Sequence, residues 1–92
     1  MCRNIRVLYN FEPPTTKEEI RASALQYVRK VSGLARPRAA DVAAFERAID
    51  EVAESTGCLL RSLSAQTAVR TREHEHEKAR ARWKKREAQL LR

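Results

Sequence analysis

Residues 16–33, TKEEIRASALQYVRKVSG, decide how this chain folds. They open on Thr16 and, three residues on, Glu19. That is the capping-box pattern, in which a hydroxyl and a carboxylate each satisfy a backbone N–H at a helix start. Ile20, Ala24, Tyr27, Val28 and Val31 then recur at helical spacing as one apolar stripe. Arg29 and Lys30 stand in the last turn, where the helix dipole favours cations. Gly33 follows, a residue suited to leaving a helix in a left-handed conformation. Start, stripe and stop agree, so the pattern predicts a helix over 17–32.

A second helix is predicted over 41–64. Asp41 is a good N-cap residue. Val42, Phe45, Ile49, Val52, Thr56, Leu59 and Leu63 follow in alternating steps of three and four, a heptad seam. Such a seam serves hairpin packing or a dimer, and Val42, Phe45, Ile49, Val52, Leu59 and Leu63 are its candidate interface residues. Gly57 weakens this helix by about 1 kcal/mol relative to alanine. Cys58, between apolar positions, is expected to be a small core residue. The connection 34–40 is longer than the three or four residues of a DNA-reading helix-turn-helix.

Ahead of the first helix, Ile5, Val7 and Tyr9 alternate with Arg6, Leu8 and Asn10, a strand-like pattern with no evident pairing partner. An irregular arm is expected instead, with Ile5, Leu8 and Phe11 laid on the helices. Pro13 and Pro14 keep helix from starting before Thr16. Beyond the second helix, residues 64–68 read as a polar hinge or a helical continuation. Val69, His76, Trp83 and Leu90 then recur every seven residues. A helix over 69–92 would be about 36 Å long, and such a thin stripe would leave it frayed without a partner surface.

The 92 residues suit one small domain with a modest core, for which self-association is plausible. Hydrophobic residues make up 42% but aromatics only 5%, and few residues break helices, which favours an all-α fold. The net charge is +7. Residues 1–68 hold ten Lys/Arg and eight Asp/Glu, a net +2, whereas 69–92 hold nine and four, a net +5. This split divides the chain into a helical hairpin domain with its arm (1–68) and a basic helical tail (69–92). Lys78, Arg80, Arg82, Trp83, Lys84, Lys85 and Arg86 are the candidate polyanion-binding residues. Counterion release would drive binding to phosphates, and Trp83 could stack on a base. Acidic proteins are the other partners such a tail attracts.

Cys2 is the one candidate for chemistry. Removal of Met1 would leave a thiol and a free α-amine on one residue, and Arg3 and Arg6 would favour thiolate. Thiol-redox, metal-binding or N-terminal-nucleophile activity would centre there. No Cys-x-x-Cys pair supports a zinc or thioredoxin-type site. His74-Glu75-His76 has histidines two apart, which point away from each other on a helix, so pairs such as Glu75–Lys78 and Glu77–Arg80 on a solvated face are expected. There is no phosphate-binding glycine loop, no Ser-His-Asp set and no carboxylate pair. No cofactor, metal or catalytic residue is therefore assigned, and a non-enzymatic role is favoured. The first fifteen residues lack an apolar run, and no stretch has the length to span a bilayer, so a cytoplasmic location without membrane contact is expected.

Three runs carry a family resemblance: Met1-Cys2-Arg3-Asn4-Ile5-Arg6, Leu8-Tyr9-Asn10-Phe11-Glu12-Pro13-Pro14, and Leu25 to Gly33 with Tyr27-Val28-Arg29-Lys30-Val31-Ser32-Gly33 at its centre. With Glu19-Ile20-Arg21-Ala22, Ala44-Phe45 and the Lys-Ala-Arg-Ala-Arg run from Lys78, they resemble a bacterial family, domain of unknown function 2277. Gly57-Cys58 departs from the polar or basic residues expected there. The resemblance implies a small bacterial helical protein and supplies no activity, cofactor or site. The expected architecture is an arm packed on a two-helix hairpin, with a basic helix trailing. The expected role is a binding module for nucleic acid or another polyanion, formed as a homodimer through the seam. A structural or regulatory protein–protein role is the remaining alternative.

Overall fold

The computed structural model describes residues 4–91 and contains three helices and no strand among them: α1, Lys17–Ser32; α2, Val42–Ser62; and α3, Arg72–Leu90. α1 starts on a complete capping box. The Thr16 hydroxyl accepts from the Glu19 backbone N–H, and the Glu19 carboxylate accepts from the Thr16 N–H at 2.9 Å. It ends on Gly33, whose φ of 73° lies in the left-handed region open to glycine. The predicted bounds of α1 therefore stand.

α2 is shorter than predicted at both ends. Residues Ala39–Asp41 form a 3-10 turn ahead of it. Asp41 occupies the N-cap position, yet its side chain makes no capping bond; its carboxylate accepts instead from Arg38 Nε at 3.4 Å. The tight turn places Asp41 at φ −106° and ψ 0°, away from the extended geometry that aims a cap oxygen at the helix N–H groups.

α1 and α2 pack as a hairpin whose core is Ala24, Val28, Phe45 and Ile49, with Leu25, Ala48, Val52 and Ala53 half-buried against it. The seam is thus divided. Phe45 and Ile49 face α1, Val52 and Thr56 are half-covered, and Val42, Leu59 and Leu63 remain exposed. The α1 stripe divides likewise, since Ala24 and Val28 are buried while Tyr27 and Val31 stay exposed, Val31 by 67%. Gly57 is buried, with Ile20 Cδ1 3.9 Å from where a Cβ would stand, so the glycine sits at the helix contact. Cys58 is exposed rather than in the core. It lies nine residues after Ile49, half a turn round the helix from the packed face.

The arm is held at several points. The Asn4 backbone N–H donates to Gln26 Oε1 at 2.7 Å, and Ser23 Oγ donates to the Asn4 carbonyl. Leu8 is buried, and its carbonyl accepts from Thr15 Oγ1. Ile5, expected to lie on the helices, is exposed. The Glu12–Pro13 peptide is cis. The arm does find a pairing partner: Phe11 makes a single parallel bridge with Arg70. Residues 64–71 are accordingly an extended return, not a continuation of α2, and α3 begins only at Arg72. Val69 thereby drops out of the seven-residue repeat.

Candidate functional site

Two groups of cations follow α2, and their surroundings differ. The first ties the return segment to the arm. Asn10, at φ 63°, adopts the left-handed conformation that asparagine tolerates better than most residues. Its Nδ2 donates to the Thr67 and Ala68 carbonyls at 3.1 Å each. The backbones exchange bonds, Glu12 N–H to Arg70 O at 2.9 Å and Arg70 N–H to Asn10 O at 2.8 Å. Arg70 Nη1 also donates to the Tyr9 carbonyl at 2.9 Å, and its Nε pairs with Glu75 at 3.2 Å.

Arg72 completes this clasp. Its Nε and Nη2 reach the two Glu19 oxygens at 3.0 and 2.7 Å, a bidentate fork. Nη1 and Nη2 also donate to the Pro13 and Pro14 carbonyls at 2.8 and 3.2 Å, and the guanidinium lies 5.2 Å from the Phe11 ring centroid. Glu19 therefore serves the α1 cap, Arg72 and, at 3.4 Å, Arg6. The Arg72 hydrogen bond, then that from the Thr16 backbone, lowers the Glu19 carboxyl to about 2 against a partial desolvation cost. Arg72 is raised in turn, chiefly by its hydrogen bond to Glu19. With its donors committed to Glu19 and two carbonyls, Arg72 is an anchor rather than a ligand-binding group.

The second group is the candidate interface. Beyond its first turn, which Arg72 ties to Glu19, α3 stands clear of the hairpin, packing along neither α1 nor α2, and none of its described residues is buried. Thr71 caps it, accepting from the His74 N–H at 3.1 Å. Lys78 pairs with Glu75 at 3.6 Å, as the i,i+3 spacing predicts; the other expected pair, Glu77–Arg80, does not close, and Glu77 instead lies 4.0 Å from His74 Nδ1. Arg80, Arg82, Lys84, Lys85 and Arg86 have no ion pair among the described residues, and Trp83 is 56% exposed. A regular helix sorts these cations. Lys78, Arg82, Lys85 and Arg86 fall within about 100° of arc, while Arg80 and Lys84 lie on the opposite side, in register with Glu73, Glu77 and Glu87.

Other candidates offer less. Among the described residues no three His, Cys, Asp or Glu side chains converge as a metal site. An open cleft of about 610 Å³ runs beside α1, lined by Asn4, Leu25, Gln26, Arg29 and Lys30 among others, and none of its described lining residues carries a carboxylate or thiol. Cys2 lies outside the described residues. No described helix is long and apolar enough to cross a membrane.

A family model described as "Uncharacterized conserved protein (DUF2277)" matches residues 1–78. The chain belongs to that family. The matched span takes in the arm, the hairpin and the whole clasp, and it ends at Lys78, where the densest run of cations begins. No curated protein and no solved structure matches the chain. Sequence reading singled out the tail cations but missed Asn10, Glu19, Arg70 and Arg72 as a joint assembly. Its one local signal was Asn10-Phe11-Glu12 ahead of two prolines, a bend without an obvious partner.

Proposed function

We propose that this chain is a non-enzymatic binding module in which α3 presents cations to nucleic acid or another polyanion. The observation that carries the proposal is the contrast within one segment: Arg70 and Arg72 are consumed by the fold, whereas Arg80, Arg82, Lys84, Lys85 and Arg86 have no ion-pair partner among the described residues. Solvated cations with their counterions are what phosphate binding requires, because releasing those ions drives association. A cytoplasmic location goes with this reading.

The test is titration with DNA and RNA at rising salt, using the full chain and a truncation after Glu77. Truncation at residue 68 would also remove Arg70 and Arg72 and so disturb the hairpin. The expected result is binding at low salt that weakens with salt and is lost on truncation. Absence of binding at low salt, or binding that survives truncation, ends the proposal.

A homodimer through the hairpin is a second reading, favoured by the large apolar side chains that its two helices leave exposed. Phe45 and Ile49 are already used inside the hairpin, so Val42, Leu59 and Leu63, with Tyr27 and Val31, are what a second copy would cover. A strictly monomeric mass in sedimentation at micromolar concentration removes this reading.

A further inference from the structure

The geometry of α3 points to a narrower ligand: we infer that Lys78, Arg82, Lys85 and Arg86 form a one-sided ladder for the phosphates of a nucleic-acid duplex, read without contact to its bases. This inference rests on the polyanion reading above and specifies its ligand.

Three observations carry it. First, the four cations follow i, i+4, i+7, i+8 spacing along one face and span about 12 Å of helix axis. A duplex presents one phosphate charge per roughly 1.7 Å of its axis, so a rod bearing cations on one side meets a dense row of phosphates wherever it lies along the backbone. Second, the opposite face is close to balanced, with Arg80 and Lys84 beside Glu73, Glu77 and Glu87. Attraction is therefore directional rather than a general property of the tail. On the ladder face the acid in register is Glu75, which Arg70 and Lys78 already hold at 3.2 and 3.6 Å.

Third, α3 offers no platform for unstacked bases. Single-strand binders track the backbone with cations and stack successive bases on several aromatic rings. α3 has one large ring, Trp83, set about 100° round the helix from Arg82, and the small imidazole of His76 one heptad before it; both lie outside the cationic arc. A duplex keeps its bases stacked and asks for no such ring. The stripe beside the ladder, Ala79, Trp83 and Leu90, is also too sparse to bury a helix in a lipid interface.

Charge-matched pairs in the full-length protein test this inference. Arg82→Ala with Arg86→Ala removes two ladder cations; Arg80→Ala with Lys84→Ala removes two from the balanced face. Alanine preserves helix propensity at exposed sites, which circular dichroism checks. Binding is measured from 50 to 200 mM salt on duplex DNA, duplex RNA, single strands of equal length and anionic vesicles, with Trp83 fluorescence recorded. If three to four phosphates are engaged, duplex affinity falls roughly 40- to 150-fold over that range, and the ladder pair lowers the log–log slope by about 1.8. The expected result is a clear loss for the ladder pair, a minor loss for the other, duplex preferred over single strand, and little change in Trp83 emission. The DNA and RNA arms show which duplex is preferred. Equal losses for the two pairs, single-strand preference with Trp83 quenching, or binding to vesicles alone would overturn the duplex ladder. The first two leave a polyanion tail standing; no binding to any polyanion overturns both.

Discussion

Arg72 and Arg82 sit ten residues apart on one helix, carry the same side chain and differ completely in surroundings. Arg72 spends its donors on Glu19, Pro13 and Pro14 and lies over Phe11; Arg82 has no ion pair among the described residues. The same contrast separates the two ends of the region after α2. One end closes the fold, the other is open to solvent. Net charge counts both alike, so the +5 of residues 69–92 overstates the charge free to meet a ligand.

Substitutions that exchange the two environments probe this contrast. The largest structural effect is expected for Arg72→Ala. It leaves Glu19 and the Pro13 and Pro14 carbonyls without their donor and frees the return segment. Hydrogen exchange should show lost protection at Glu12 and Arg70, whose N–H groups bond across the clasp, and the melting temperature should fall. Protection unchanged at those two amides would show that the backbone bridge, not Arg72, holds the segment.

Acid acts on the same pair from the other side. The Glu19 carboxyl lies near 2, against an ordinary 4.5. Its contribution to stability is complete above about pH 4.5 and is lost as pH falls through 2, because over that window the unfolded chain binds the extra proton. Denaturation at pH 5, 4 and 3 should show stability falling, and Glu19→Gln should flatten that fall. An equally steep fall in Glu19→Gln would assign the acid sensitivity elsewhere.

Thr16→Ala removes the hydroxyl half of the capping box while sparing Arg72, and should cost about 1 kcal/mol by urea denaturation. Gly57→Ala should act in the opposite direction. A Cβ there would meet Arg61 Nη1 at 3.2 Å, the far end of a flexible exposed side chain, and Ile20 Cδ1 at 3.9 Å. The helix gains up to about 1 kcal/mol of propensity if Arg61 swings aside. Destabilisation would mean that the α1–α2 contact is tighter than the Arg61 side chain can relieve. Smallest of all, Arg82→Ala should leave stability within about 0.5 kcal/mol while weakening polyanion binding. That outcome separates the open end from the clasp.

Local signals account for what was legible in advance. The capping box, the terminal cations and Gly33 bounded α1 correctly because each acts within one or two helical turns. The seam located α2 and Asp41 takes the N-cap position, but without a capping bond, since its side chain can cap only from extended backbone and the 3-10 turn ahead of it closes too tightly for that. Cys58 was misplaced because apolar neighbours in sequence do not share a face; nine residues from Ile49 is half a turn out of register. The candidate interface was legible as composition, and only a regular helix divides its cations into a ladder and a balanced face.

The amino-acid sequence by itself determined the helices, their polarity and the location of the excess charge, because capping, periodicity and charge are properties of nearby residues. Tertiary structure alone decided that Asn10 and Phe11 meet residues 67–72, that Glu19 serves a cap and a clasp together, and that Arg72 is structural where Arg82 is free. Those contacts join groups more than fifty residues apart. No local pattern encodes them, because each arginine's partners are set by where the folded hairpin delivers the arm.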